Sequence, residues 1–280
     1  MTNYKKYLNI KYKIKDNITY EKALLLNFLY EKRKSSPEKK YLPHGWHWIY
    51  FNQNTLINDL ADDGHVKRGR FLPPLKGYKR MYVGGHLLFE NKIKYGSTIE
   101  KISYISSITK KKNKQTNLVF MDQNNVYKKN NKLFLTETQS LVFIKNTYLT
   151  KKKRGLLKEG LKSIIFKKKF NLDNVMLFKY SALTLNAHRI HYDIEYSKKK
   201  EGYKNLLVHG PLLATILLDQ LKKINFNIIS FSFKILSPIF VNEDFYLKIF
   251  SIKERKKYRA CFFKRNLSNI SFYCEFTTSI

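Results

Sequence analysis

Between Tyr180 and Leu218 the chain reads YSALTLNAHRIHYDIEYSKKKEGYKNLLVHGPLLATILL, and this stretch holds the densest set of side chains able to do chemistry. Asn186, His188, Arg189, His191 and Asp193 fall within one short run, followed by a loop and then His209-Gly210-Pro211 at the head of an apolar segment. Proline is tolerated in the first turn of a helix because its missing N–H has no partner there, so His-Gly-Pro predicts a helix start. The backbone N–H groups left free at such an end, with the positive end of the helix dipole, suit a carbonyl oxygen that is gaining negative charge. Imidazole and carboxamide beside such an end make a set for proton transfer next to a carbonyl. These are the parts of an enzyme.

The elements that must position them follow from periodicity. From Pro211 the segment is apolar at Leu212, Leu213, Ile216, Leu217, Leu218 and Leu221, nearly all round a helix, which predicts burial on most faces. Period-two alternation then predicts strands over Ile229–Ile235, Phe245–Ile249 and Ile270–Thr277, with Tyr258–Lys264 as a further strand. The first half ends in a similar series: Gly85–Phe89, Thr98–Ile108, Asn117–Val126 and Leu133–Phe143, with a turn at Asn130-Asn131. Tyr20–Lys34 reads as a helix. HLLFENKIKYGSTIEKI and FSFKILSPIFVNEDFYLKI share their pattern of breaks about 146 positions apart, as a duplicated unit requires. The expected organisation is an N-terminal unit over residues 1–150 without the catalytic motif, a basic linker over 151–170 and a C-terminal unit over 171–280 that carries it. The fold class is α+β: antiparallel sheets, each wrapped around a main helix.

Composition narrows the function. A chain of 280 residues with 43% hydrophobic and 15% aromatic residues is long enough for two cores. No apolar run is long enough to span a bilayer, and the N-terminus lacks a signal-peptide core. Cys261 and Cys274 are too few for a disulfide framework or a cysteine zinc site, which points to the cytoplasm, or to the mitochondrial matrix in a eukaryote. The net charge of +33 invites a nucleic-acid reading. However, lysine supplies most of it, and Asn, Ile, Tyr and Phe are abundant alongside. AT-rich codons explain that bias, and specific nucleic-acid binding is not expected.

Several ordered blocks carry a resemblance. They are Gly45-Trp46-His47-Trp48-Ile49-Tyr50-Phe51, Asp63-Gly64-His65, Arg70-Phe71-Leu72-Pro73-Pro74 and Lys79-Arg80-Met81-Tyr82-Val83-Gly84-Gly85 in the first half. In the second they are Phe178 to Thr184, Asn186-Ala187-His188-Arg189-Ile190-His191-Tyr192-Asp193 and Val208-His209-Gly210-Pro211. Together they resemble the MaoC-like dehydratases and hydratases of tandem, or double, hotdog fold. The nearest group is the two-domain type that includes hydroxyacyl-thioester dehydratase type 2 and mesaconyl-C4-CoA hydratase. The resemblance implies a hydro-lyase that adds water to a 2-enoyl or mesaconyl-type thioester, or removes it from the 3-hydroxy form. The carrier would be CoA or an acyl-carrier protein, with no cofactor.

The wider family's D-x-N-P-x-H pattern places Asn186 at the Asp position and His191 at the His. Asn cannot take a proton as a carboxylate can, so His191 is expected to carry the acid–base work, Asn186 to orient, and Gly210 to offer its N–H to the thioester oxygen. Arg189, His209 and His188 are the candidate substrate-binding residues, each with an ordinary structural alternative, and Asp193 is a substitute acid. Trp46, Trp48, Tyr50 and Phe51 fit either an acyl slot or ordinary core. His188-x-x-His191 and His44-x-x-His47 have metal-ligand spacing but lack a third ligand in the sequence, so no metal is expected. A homodimer is an allowed assembly. A hotdog thioesterase, or a non-catalytic module binding thioesters or nucleic acid, are the alternatives.

Overall fold

The computed structural model describes residues 4–30, 38–53, 55–112, 117–145, 161–264 and 269–279. Each half opens with a strand and a short helix: β1 (Tyr12–Asn17) and α1 (Tyr20–Tyr30), then β6 (Leu161–Phe170) and α2 (Asn174–Leu183). The first half continues through β2 (Lys79–Phe89), β3 (Thr98–Lys112), β4 (Asn117–Lys129) and β5 (Lys132–Lys145). The second continues through α3 (Ile194–Lys199), α4 (Gly210–Lys223), β7 (Ile228–Ile235), β8 (Phe245–Ile252), β9 (Lys257–Lys264) and β10 (Ile270–Thr278).

The strands form one sheet in the order β1-β3-β4-β5-β2-β7-β10-β9-β8-β6. Reading outward from the β2–β7 seam, each half repeats the same connectivity. At the seam His86 pairs with Ser232, Leu87 with Phe231 and Gly85 with Phe233. His86 and Ser232 are 146 positions apart, the spacing of the duplicated pattern, so a pseudo-twofold axis passes between them. All pairings between named strands are antiparallel, as alternating half-buried strands require. This is the α+β tandem arrangement expected from the repeat.

Two expectations need correcting. Residues 161–170 are not linker but the edge strand β6, paired with β8; the Lys-rich run from Lys167 to Lys169 protects an exposed edge from further pairing. Residues 151–160 lie outside the described residues. Nor do the halves have equivalent main helices. In the second half α4 is buried from Leu212 to Leu221 and packs against β7 and β2, under the seam. Among the described residues between α1 and β2 the first half has no such helix, only the 3₁₀ turns Trp46–Ile49 and Ile57–Asp59. After the first of these turns the chain runs from Tyr50 to Tyr78 without a long element and crosses to the C-terminal half. Trp46, Tyr50 and Phe51 are core, and the Trp46 indole N–H donates to Asp219 Oδ1 of α4 at 2.9 Å. No helix among the described residues is long and apolar enough to cross a membrane.

Candidate active site

Asp173 caps α2 by accepting from the Met176 N–H at 2.8 Å, and Leu185, at φ +48°, turns the chain back after the helix ends. Asn186 Oδ1 then accepts the His188 N–H at 3.2 Å, a local turn typical of Asn. A single 3₁₀ turn, Arg189–His191, swings the imidazole of His191 inward. His191 Nδ1 lies 2.8 Å from the Leu207 carbonyl oxygen. A carbonyl only accepts, so Nδ1 carries the proton and Nε2 keeps its lone pair. The His191 ring stacks on His209 at 3.7 Å between centroids, and His188 stands edge-on to it at 5.5 Å. His209 Nε2 is 2.8 Å from Ser181 Oγ, which fixes the ring ahead of α4.

Other residues from the motif are placed elsewhere. Asn186 lies on a cavity wall. Arg189 gives Nε and Nη2 to Asp193 Oδ2 at 3.0 and 2.7 Å and covers the Tyr196 ring, so its planar fork is engaged within the protein. Asp193 also caps α3 through the Tyr196 N–H at 2.9 Å. Gly210 sits where a Cβ would come within 2.5 Å of Ile235 Cδ1 and 2.9 Å of the Tyr82 ring, so any larger residue would have to displace those side chains.

The sequence reading missed the contribution of the first half. Asp63, Gly64 and His65, on the long crossing segment, dock directly on the motif. The Arg189 N–H donates to the Asp63 carbonyl at 3.0 Å, and Arg189 Nη1 donates to the Asp62 carbonyl at 3.2 Å. Gly64 is so close to the motif that an added Cβ would lie 1.7 Å from the Ala187 carbonyl oxygen. His65 packs against His188 with 4.1 Å between ring centroids, and its Nδ1 is 3.3 Å from Asp63 Oδ2. Asp63-Gly64-His65 stood out in the sequence only as one block of the family resemblance; nothing local ties it to residue 188.

Burial dominates the electrostatics. It pushes His191 down to about 4, and it holds His188 and His209 well below the ordinary imidazole value, with neighbouring imidazoles adding to the effect. Burial alone would raise the pKa of Asp63, but the hydrogen bonding and charge of His65, helped by His188, hold it well below the usual carboxylate range. Burial lowers Arg80 to about 10 while the charge of Asp63 opposes that shift, and Arg68 faces the same carboxylate. The result is a row of neutral imidazoles ending at an ionised carboxylate.

A cavity of about 560 Å³ opens between the halves, with Phe51, Leu56, His65, Leu185, Asn186 and Ala187 among its walls. His191 and Gly210 are not on its surface; His188 lies between His191 and the His65 wall. The donor atoms of Asp63, His65 and His188 are within 4.8 Å of one another, a spacing a divalent cation can use. The sequence offered His188-x-x-His191 for this, and tertiary contact groups different residues. The guanidiniums of Arg68 and Arg80 face the one carboxylate in that group, and their charge opposes a further cation. We read the group as a polar cluster around one carboxylate.

Comparison with known proteins agrees with this frame. The family model described as hydroxyacyl-thioester dehydratase type 2 matches residues 45–241, which includes both the crossing segment and the C-terminal motif. The mesaconyl-C(4)-CoA hydratase of Chloroflexus aurantiacus is 31% identical over 229 residues, covering 81% of each chain. The solved MaoC-like dehydratase from Phytophthora capsici superposes with a TM-score of 0.65 at 14% identity, over 99% of this chain and 98% of that one. A Mycobacterium tuberculosis protein described as a double hotdog fold gives 0.60 at 9% identity, over 96% of this chain and 94% of the other. These structural likenesses bear on the fold.

Proposed function

Since the chain belongs to the hydroxyacyl-thioester dehydratase type 2 family, we propose that it is a hydro-lyase of acyl thioesters, adding water to a 2-enoyl or mesaconyl-type group and removing it in reverse. One observation carries the mechanism: Nδ1 of His191 is held by the Leu207 carbonyl, and burial keeps the ring neutral at pH 7. Nε2 is therefore a base with its lone pair available. In hydration, a water gives its proton to Nε2 as its oxygen bonds to the β-carbon. The π electrons move to the thioester oxygen, where the free N–H groups at the start of α4, Gly210 among them, face the developing charge. The enolate then takes the proton at the α-carbon, and the imidazole returns to neutral. The thioester is its own electron sink, so these steps use only the chain's side chains and backbone.

In this reading the acyl arm enters through the cavity between the halves, His188, which separates that cavity from His191, turns aside to admit it, and Asn186 orients the loop that carries His188. His209, fixed by Ser181, backs the base. The carrier is CoA or an acyl-carrier protein, and two buried free thiols suit a reducing compartment such as the cytoplasm. Loss of the enoyl-thioester absorbance of crotonyl-CoA and mesaconyl-CoA tests the reading. His191→Ala should lower kcat by ~10²–10⁴ with the fold retained, the usual effect of losing one acid–base group. Asn186→Asp should stay active. A folded His191→Ala protein with near wild-type turnover would move the chemistry to another residue.

A further inference from the structure

The C-terminal motif has Asn186 where the wider pattern has a carboxylate, yet a hydro-lyase that parks a proton on imidazole gains from a fixed negative charge nearby. Asp193 is not placed for this, because its oxygens are taken by Arg189 and by the cap of α3. Asp63 is placed for it. Its backbone carbonyl is bonded to the N–H of Arg189, within the motif itself, and Gly64 beside it lies so close to the Ala187 carbonyl that a Cβ would collide with it. Asp63 Oδ1 accepts the His65 N–H at 2.9 Å, which fixes the carboxylate, and Oδ2 lies 3.3 Å from His65 Nδ1. The donor atom of His188 is within 4.8 Å of both groups. From there the imidazoles run His65, His188, His191, His209, with ring centroids 4.1, 5.5 and 3.7 Å apart.

We infer that Asp63, brought across from the N-terminal half, is the carboxylate of this site: a positioning residue that orients His188 and stabilises the positive charge the histidine row carries during turnover. This rests on the hydro-lyase reading above. The surroundings give the reason for the charge. The charges of Arg68, on the crossing segment, and Arg80, on β2, oppose a proton on His65, and that of Arg80 opposes one on His188 as well. Tyr196 and Glu201 face Asp63 from the far side, and His209 closes the row at α4. Asp63 is the one anion in direct contact with the row among the described residues, and it offsets the two guanidiniums where the proton must sit. The active site is then composite, and the C-terminal unit is incomplete without the crossing segment of the first.

The test compares Asp63→Asn and Asp63→Glu with the wild-type chain on crotonyl-CoA, following kcat, KM and their pH dependence, with circular dichroism and thermal melting as folding controls. Asp63→Asn keeps the shape and removes the charge. The expected result is a fall in kcat of ~10²-fold, a KM within about threefold, and an acid limb of kcat/KM moved to lower pH. Asp63→Glu should recover part of the rate. A folded Asp63→Asn protein with wild-type kcat overturns the inference. So does an equal loss in both variants with the acid limb unmoved, which marks a structural role. Activity lost to EDTA and restored by Zn²⁺ also overturns it, since Asp63 would then be a metal ligand. If the variants do not fold, ¹⁵N-histidine spectra of the wild-type chain decide instead. At pH 7 the His188 ring should show one fixed tautomer, as a ring oriented by the Asp63 carboxylate must, and a mixture of tautomers overturns the inference. If the wild-type chain hydrates no thioester tested, the functional reading fails, and the spectra still report whether Asp63 and His188 are coupled.

Discussion

Replacing Gly64 by alanine should separate the crossing segment from the motif without unfolding either half. The ideal Cβ would lie 1.7 Å from the Ala187 oxygen and 2.6 Å from its carbonyl carbon, against a closest tolerated contact of 3.0 Å. Both atoms are backbone, so the segment must withdraw by at least 3.0 − 1.7 = 1.3 Å. Gly64 is also at φ +86°, where an alanine costs about 1–2 kcal/mol. Withdrawal would break the hydrogen bonds from Arg189 to the Asp63 and Asp62 carbonyls, at about 1 kcal/mol each. The sum is about 3–4 kcal/mol against docking, or a docked population lowered by ~10²–10³. If docking assembles the site, kcat/KM for crotonyl-CoA should fall by about 10² while the melting temperature drops by only a few degrees. Gly96→Ala is the matching control. It has φ +79° and nothing within 4 Å of its Cβ, so it carries the backbone cost without the collision. Cleavage by a nonspecific protease between residues 50 and 78 should rise for Gly64→Ala alone. If the two variants match in rate and in protease pattern, the composite site is refuted.

Acid should act on rate and stability separately. The neutral form of His191 is the active base, so hydration by the folded enzyme should be flat from pH 6 to 8 and fall as pH passes through about 4; a rate falling near the ordinary imidazole value of 6.5 would contradict the burial argument. The same lowered pKa means that the unfolded chain binds more protons between about 4 and 6.5, so stability should decline with acid across that window in urea titrations. A second loss should come from Glu137, buried on β5, which accepts from Trp48, Asn125, Tyr127 and Gln139 at 2.7–3.0 Å. Burial alone would raise its pKa, but the His47 imidazole at 3.8 Å and the hydrogen bonds from Gln139 and Trp48 bring it down to about 2. Its contribution is full above the ordinary 4.5 and is lost as pH falls toward 2. Glu137→Gln should cost about 3 kcal/mol at pH 7 and abolish that acid dependence, both read from denaturation midpoints.

Much of this protein was legible in its sequence. Period-two alternation marked β7, β8 and β10 to within a few residues, because a strand with one face in a core alternates; β9, buried on both faces from Ala260 to Phe263, does not. His209-Gly210-Pro211 marked the start of α4, since the rules for a helix N-terminus are local. The five-residue offset of Asn186 and His191 is also local. The structure, however, puts His191 with His188 and His209 in the buried row and Asn186 on the cavity wall. Lys167 to Lys169 read as linker because an edge strand need not be apolar; only pairing with β8 reveals β6.

The role of the first half had to wait for tertiary structure. The repeat predicted equal main helices, but among the described residues the first half has only short 3₁₀ turns between α1 and β2, and that length of chain carries Asp63 and His65 to His188. These residues are 123–125 positions apart in sequence, and no periodicity records a contact made by backbone hydrogen bonds and a glycine collision. The engagement of Arg189 with Asp193 is similar: spacing allows an i,i+4 pair but does not say whether the guanidinium turns to it or to a ligand. Local propensity and burial patterning determine elements, while the pairing of charges and imidazoles depends on which surfaces folding brings together.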